Sequence, residues 1–208
     1  SSAYLIGKLT DEKRRQEKAI IISKQVERLE HLLTQVLFTA RLDNTDEYHL
    51  TRVRLTELIE NTLSSIAPEY RRSHQIAVQV TDYQVVLNGN AALLERALVN
   101  LLENAVKYTA PEAPIRIAAQ VQRDAVCITV DDDGPGFPPG REEAVFEKFE
   151  RGSKEMATPG VGLGLGICRA IVEAHGGRIH GENRVEHGRV AGARLVITLA
   201  REEPPAGD

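Results

Sequence analysis

From Asp11 to about Leu42 the chain contains neither Gly nor Pro, and Ala19, Ile22, Val26, Leu29, Leu33, Val36 and Ala40 step by three and four. That is a heptad seam over about three heptads. Leu32 and Leu37 widen the stripe, while Lys24, Glu27, Arg28, Glu30 and Arg41 fall off it. The pattern predicts one helix about 48 Å long at 1.5 Å per residue. Such a helix cannot bury its stripe alone, so it needs a second helix from the same chain or another subunit. Ser1 to Leu9 reads as the end of such a partner, with Gly7 at its turn.

The pattern changes near Tyr48. Val53 to Ser65 predicts a helix with Leu55, Leu58, Ile59 and Leu63 inward, broken by Pro68. Ile76, Val78 and Val80 alternate as a strand, and Val85 to Leu87 is a short second one. Asn90 stands where it can cap a helix from Ala91 to Tyr108. Ile115 to Val121 and Val126 to Val130 form a predicted hairpin turning at Arg123-Asp124. Pro138 to Pro159 is polar and irregular, with an apolar anchor at Val145 to Phe149; segments of this length are functional or disordered. A helix follows from Gly164 to His175, ended by Gly176-Gly177. Arg178 to Gly181 and Ala193 to Leu199 complete the sheet, and a loose acidic, Pro-rich tail starts at Glu202. Helices beside a mixed sheet make an α+β sandwich. The expected division is 1–46 helical, 47–201 a mixed domain, and 202–208 a disordered tail.

Composition narrows the function. The 208 residues carry a net charge of −4, no Trp and few aromatics. That excludes a broad basic surface for nucleic acid or anionic lipid, and a stacking platform for bases. No apolar run approaches the roughly 20 residues that span a bilayer, so no membrane contact is expected of this piece. Cys127 and Cys168 sit in apolar runs without metal-ligand spacing, as buried reduced thiols in a cytosolic setting.

Three motifs carry candidate chemistry. Asn100, Asn104 and Lys107 lie four and three residues apart on one helix face, while Leu98, Leu101, Leu102 and Ala105 face the core. Amide oxygens suit Mg²⁺ that travels with a phosphate ligand, and a lysine can neutralise a phosphate. Alone, the pattern equally describes an amphipathic helix with a polar outer face. Two interior asparagines nevertheless call for a reason, because Asn is a poor helix former. Second, Asp132 ends an apolar strand and gives way to Gly134-Pro135-Gly136. A carboxylate there can accept from the exocyclic amine of adenine, with glycines letting backbone approach the base. Alone, three consecutive aspartates also describe a solvated turn. Third, Gly160, Gly162, Gly164 and Gly166 alternate with Val161, Leu163 and Leu165 at a helix start. Backbone N–H groups there make an anion site, although the Lys-Ser/Thr of a P-loop and the strand of a dinucleotide fingerprint are missing.

Together, Asn100–Tyr108, Asp132–Gly136, Phe146–Phe149 and Gly160–Leu165 resemble the N, G1, F and G2 boxes of sensor histidine kinases, members of the GHKL ATP-binding superfamily. The likeness covers about Val53 to Leu199. The stretch Phe149–Glu155, with Pro159–Leu165 and Cys168–Val172, is similar to potassium-responsive KdpD-type kinases. The resemblance implies a Bergerat-type sandwich, a mixed sheet with helices on one face, behind a long dimerisation-type helix. It implies ATP and Mg²⁺, with Asn104 and Asn100 at the metal and Asn104, Lys107 and Lys148 catalytic. Tyr108 would lie beside the ribose or base, and Asp132 would read adenine. Gly134, Gly136, Gly160, Gly162, Leu163, Gly164 and Leu165 would shape the pocket. Lys148 or Arg151 would reach the γ-phosphate. Implied partners are a response regulator receiver domain and the phosphoacceptor helix of the same or a partner subunit, in a homodimeric parent anchored in the inner membrane with this part cytoplasmic.

The chain departs from the family in one serious way. None of its six histidines has the phosphoacceptor box, a His followed by an acidic residue and an Arg-Thr-Pro-Leu-like run. His31 precedes Leu32-Leu33-Thr34-Gln35 and sits off the seam, and His175 reads as a helix-end cap. Ser1 to Ile6 would fit just after the missing box, so the chain is expected to begin past it and not to phosphorylate itself. Phe137 and Gly166 are tolerable departures. Alternatives are a GHKL ATPase of the gyrase, MutL or chaperone type, an anti-sigma-type Ser/Thr kinase, and a dimerisation module that only binds nucleotide. The first needs a general-base Glu where Asn100 stands, the heptad helix disfavours the second, and intact glycine and asparagine boxes disfavour the third.

Overall fold

The computed structural model describes residues 50–147 and 164–202, all within one compact unit, Leu42–Asp208. The heptad helix and the tail from 203 onward lie outside the described residues. In chain order the elements are β1 (Thr51–Arg54), α1 (Leu55–Ser65), α2 (Pro68–Ser73), β2 (Gln75–Val80), β3 (Val86–Gly89), α3 (Ala91–Tyr108), β4 (Pro114–Gln122), β5 (Ala125–Asp131), a 3₁₀ turn (Ala144–Phe146), α4 (Gly164–Ala174), β6 (Arg178–Glu186) and β7 (Arg189–Ala200).

Five strands form one sheet in the order β2-β4-β5-β7-β6. The β2–β4 pair is parallel and the others are antiparallel. The sheet is therefore mixed, as expected. The alternation that predicted the hairpin puts Ile115, Ile117, Ala119, Val126, Ile128, Val130, Leu195, Ile197 and Leu199 on one buried face. Leu94, Ala97, Leu98, Leu101, Leu102 and Ala105 of α3 and Ile167, Cys168, Ile171 and Val172 of α4 complete the core. Arg116, Thr129, Asp131 and Arg194 alternate with the buried set and so lie on the other face. Cys168 is buried but Cys127 is only half-buried, which corrects the expectation of two buried thiols.

Several predicted bounds change. Residues Thr51–Arg54, partly counted into a helix, pair instead with β3 as a separate antiparallel ribbon. Pro68 does not merely break a helix. It opens α2, where a missing N–H costs nothing at the first turn. Glu202, assigned to the loose tail, donates its N–H to Val86 O at 2.9 Å. β6 and β7 run well beyond the predicted spans to meet in a hairpin at His187-Gly188.

The start of α3 is as predicted. Asn90 Oδ1 accepts the Leu93 N–H at 3.2 Å. The Asn90 N–H in turn donates to His175 Nε2 at 3.0 Å, and His175 Nδ1 lies 2.7 Å from Ile171 O. That pattern assigns the proton to Nδ1. His175 thus caps the end of α4 and ties it to the start of α3. Replacing Asn90 with Ala should cost about 1 kcal/mol, read as a lower urea midpoint with an unchanged m-value; an unchanged midpoint would show that the cap contributes nothing.

Candidate functional site

The polar face of α3 holds Asn100, Asn104, Lys107 and Tyr108, all half-buried. Lys107 Nζ donates to Tyr108 OH at 3.1 Å and lies 4.7 Å from its ring centroid. This contact holds the cation at the C-terminal turn of the helix, where it is also favoured by the dipole. Asn100 Nδ2 is buried without a hydrogen-bond partner. It faces Cys168, whose thiol is pushed up to about 12 by burial, with the Asn100 amide acting in the opposite sense.

α3 and α4 run antiparallel. His175 touches Asn90, and Cys168 Sγ donates to Ala97 O at 3.4 Å. At 1.5 Å per residue, one further turn back carries Gly164 and Leu165, which open α4, level with Leu101 and Asn100, about one turn short of Asn104. A Cβ at Gly164 would meet no described residue within 4 Å. Of the other predicted residues, Lys148, Arg151, Gly160, Gly162 and Leu163 lie outside the described residues. The apolar anchor before them is described at Phe146, which is 2% exposed and sits under the Arg169 guanidinium at 4.6 Å.

The three aspartates have separate fates. Asp131 accepts from Arg194 Nε and Nη2, both at 2.7 Å. Asp133 accepts from Arg116 at 2.9 and 3.2 Å and from Arg184. The Arg116 hydrogen bonds hold the Asp133 carboxyl below its usual range. Asp132 points the other way and is 4% exposed. The reading of the run as a solvated turn is thus corrected: two members are ion-paired and the third is buried.

Asp132 Oδ1 accepts the N–H of Gly134 at 2.8 Å and of Ala193 at 3.3 Å. No described residue donates to Oδ2. Burial pushes the carboxyl above its usual value, and the two backbone donors and Arg184 only partly offset that. A carboxylate with one oxygen saturated and the other open is poised to accept from a ligand.

The turn itself is made by close approach. A Cβ on Gly134 would stand 2.7 Å from Tyr108 O and 2.8 Å from Asp132 Oδ1. This glycine therefore lets the Asp132 loop lie against the end of α3, bringing Asp132 and Tyr108 into one site. Gly136 follows at φ +72°. Asn183 Oδ1 accepts the Phe137 N–H at 2.6 Å, and its Nδ2 donates to Phe137 O at 3.0 Å.

Sequence reasoning missed Asn183, Arg184 and Gly192. Gly192 adopts φ +154°, and a Cβ there would overlap Asp132 O. The available signals were an Asn-Arg pair and an isolated Gly within strand-like runs, but their partners lie some 50 residues away.

Comparison with known proteins agrees with this geometry. Residues 89–203 match the family model described as histidine kinase-, DNA gyrase B-, and HSP90-like ATPase. The chain is 41% identical over 176 residues to the sensor protein KdpD of Escherichia coli (strain K12), covering 84% of this chain and 19% of that relative. The structure is similar to that of a mycobacterial sensor histidine kinase MprB, with a TM-score of 0.63 and 30% identity, covering 73% of this chain and 97% of that one. It is also similar to full-length ShkA in complex with AMPPNP, with a TM-score of 0.72 and 26% identity over 86% of this chain and 37% of that one. The chain spans less than two fifths of the curated relatives it matches.

The buried carboxyl makes a testable demand on stability. Well below pH 4 it is protonated whether folded or not, and burial costs nothing. As pH rises through the unfolded value toward the raised native one, only the native state resists ionisation, so stability falls. Asp132→Asn keeps an oxygen for both N–H donors and removes that cost. Denaturation at pH 7 should find this variant more stable than the parent, with the gap closing near pH 3; a parent that is more stable at pH 7 would contradict the account.

Proposed function

The chain belongs to the histidine kinase-, DNA gyrase B- and HSP90-like ATPase family, and on that premise we propose that it binds Mg-ATP as the catalytic domain of a two-component sensor histidine kinase. The observation that carries the reading is Asp132, buried, with Oδ1 accepting two backbone N–H groups and no described residue donating to Oδ2. The exocyclic amine of adenine suits that open oxygen. Tyr108 lies across the Gly134 contact from it, beside the base or ribose. Lys107, at the end of the same helix, meets the phosphates, as do Gly164 and Leu165 at the start of α4 and Gly160, Gly162 and Leu163 before it.

The metal follows from the donor set. Among the described residues, no three His, Cys, Asp or Glu side chains converge as a metal site. Amide oxygens of Asn104 and Asn100 fit an octahedral Mg²⁺ that keeps waters and phosphate oxygens as its other ligands. When bound, the ion neutralises charge on the triphosphate. Magnesium alone should therefore show no binding to the chain, whereas it should tighten nucleotide.

The proposed reaction passes the γ-phosphoryl of ATP to an imidazole nitrogen and then to an aspartate of a response regulator. Asn104, Lys107 and Lys148 position and neutralise the triphosphate, and Lys148 or Arg151 reaches the γ-phosphate. The acceptor histidine comes from a phosphoacceptor helix of the same or a partner subunit of a homodimeric, inner-membrane parent. None of the six histidines of this chain has the surrounding acceptor sequence, so the chain does not phosphorylate itself. Among the described residues no helix is long and apolar enough to cross a membrane.

Calorimetry with Mg-AMPPNP tests the reading. The parent should bind, and Asp132→Asn should weaken binding about tenfold or more, the worth of a hydrogen bond to a charged group. Equal affinity in the two proteins would remove adenine from this carboxylate. With labelled ATP and Mg²⁺, the chain should take up label only onto an added acceptor fragment; label on the chain itself would overturn the self-phosphorylation claim.

A further inference from the structure

Arg184 is half-buried beside the Asp132 loop without belonging to any of the four boxes, and its side chain is only 13% exposed. It lies on β6 opposite Gly192 of β7, at a register irregularity between Arg184 and Val185. Because Gly192 has no side chain, the guanidinium crosses β7 and reaches the segment that follows β5. There Nη1 donates to Asp132 O at 2.9 Å and to Asp133 Oδ1. Nε stands 3.7 Å from Asp131 Oδ2, and Nη2 donates to Glu186 Oε1 at 2.7 Å. One side chain thus contacts all three aspartates, and it touches Asp132 only through the main chain. The neighbouring Asn183 clamps Phe137 by both its N–H and its C=O, so consecutive residues of β6 hold the two ends of the same turn.

We propose that Arg184 is a positioning residue for base selectivity: by fixing the Asp132 carbonyl and the Asp131 and Asp133 carboxylates, it holds the Asp132 side chain at one angle and so enforces the choice of a 6-aminopurine over a 6-oxopurine. The inference rests on the reading of Asp132 as the adenine acceptor. A fixed carboxylate sets an acceptor against the O6 of a 6-oxopurine, which is repulsive. A carboxylate free to rotate can turn away from O6 and loses that discrimination. Arg194 is the natural comparison, because it makes a bidentate pair with Asp131 and no hydrogen bond to Asp132 or Asp133.

The test compares the affinities of Mg-ATP and Mg-ITP for the 208-residue chain, with thermal melts establishing that each variant is folded. The parent should prefer ATP roughly ten- to a hundredfold, as expected of a charged hydrogen bond replaced by a repulsive contact. Arg184→Gln should bring the ratio to within about threefold of unity, chiefly by weakening ATP, and Arg184→Lys, which keeps one donor but not the fork, should fall between. Arg194→Gln should lower the melting temperature and keep the parental ratio. If the parent itself does not discriminate, the reading of Asp132 fails. If the parent discriminates and folded Arg184→Gln or Arg184→Lys keeps the full ratio, or if Arg194→Gln loses it equally, the positioning role of Arg184 is overturned. Should Arg184→Gln fail to fold, the Lys variant alone decides.

Discussion

A carboxylate kept out of water is the constraint around which this molecule is arranged. Burying Asp132 is costly unless its oxygens are satisfied, and the described residues donate to only one of them. The backbone donors at Gly134 and Ala193 come from two different places in the chain, the turn after β5 and the middle of β7. The Gly134 donor is local to the turn, but the Ala193 donor exists only when β5 and β7 are in register. The site is therefore a product of the whole sheet rather than of the Asp132–Gly136 loop alone.

The alternation of the central strand explains how three adjacent aspartates can serve different ends. Val126, Ile128, Val130 and then Asp132 face the helices, so the residue that continues the apolar series is the one turned inward. Asp131 and Asp133 fall on the opposite face, where Arg116, Arg184 and Arg194 neutralise them. These pairs are largely shielded, with the Arg184 and Asp131 side chains only 13% and 11% exposed, so breaking one partner costs more than at an open surface. Here they share donors and acceptors, and their role is to fix the direction of the segment that carries Asp132. α3 and α4 complete the arrangement by lying antiparallel, which sets Asn100 of one beside the start of the other.

Local signals made much of this legible beforehand. The span of α3, its Asn90 cap, the β4–β5 hairpin and the Gly176-Gly177 stop all follow from periodicity and turn chemistry acting over a few residues. β1 was misread because Val53 and Leu55 fit a helical stripe, while its pairing with β3 is a contact between residues more than 30 apart. α2 escaped notice because it buries nothing. The deepest omission was Asn183, Arg184 and Gly192. An arginine in a polar strand reads as surface until the strand two places away is known, and the glycine opposite it reads as a weak point in a strand. Their function arises from sheet order, which no local pattern encodes.

The most direct test of the account is a crystal structure of this chain with magnesium and AMPPNP, read at a single distance. The account predicts the adenine N6 amine within about 3.2 Å of Asp132 Oδ2, a normal hydrogen bond, with Oδ1 still held by the Gly134 and Ala193 N–H groups. A bound nucleotide whose base lies elsewhere, leaving Asp132 Oδ2 to water alone, would contradict it.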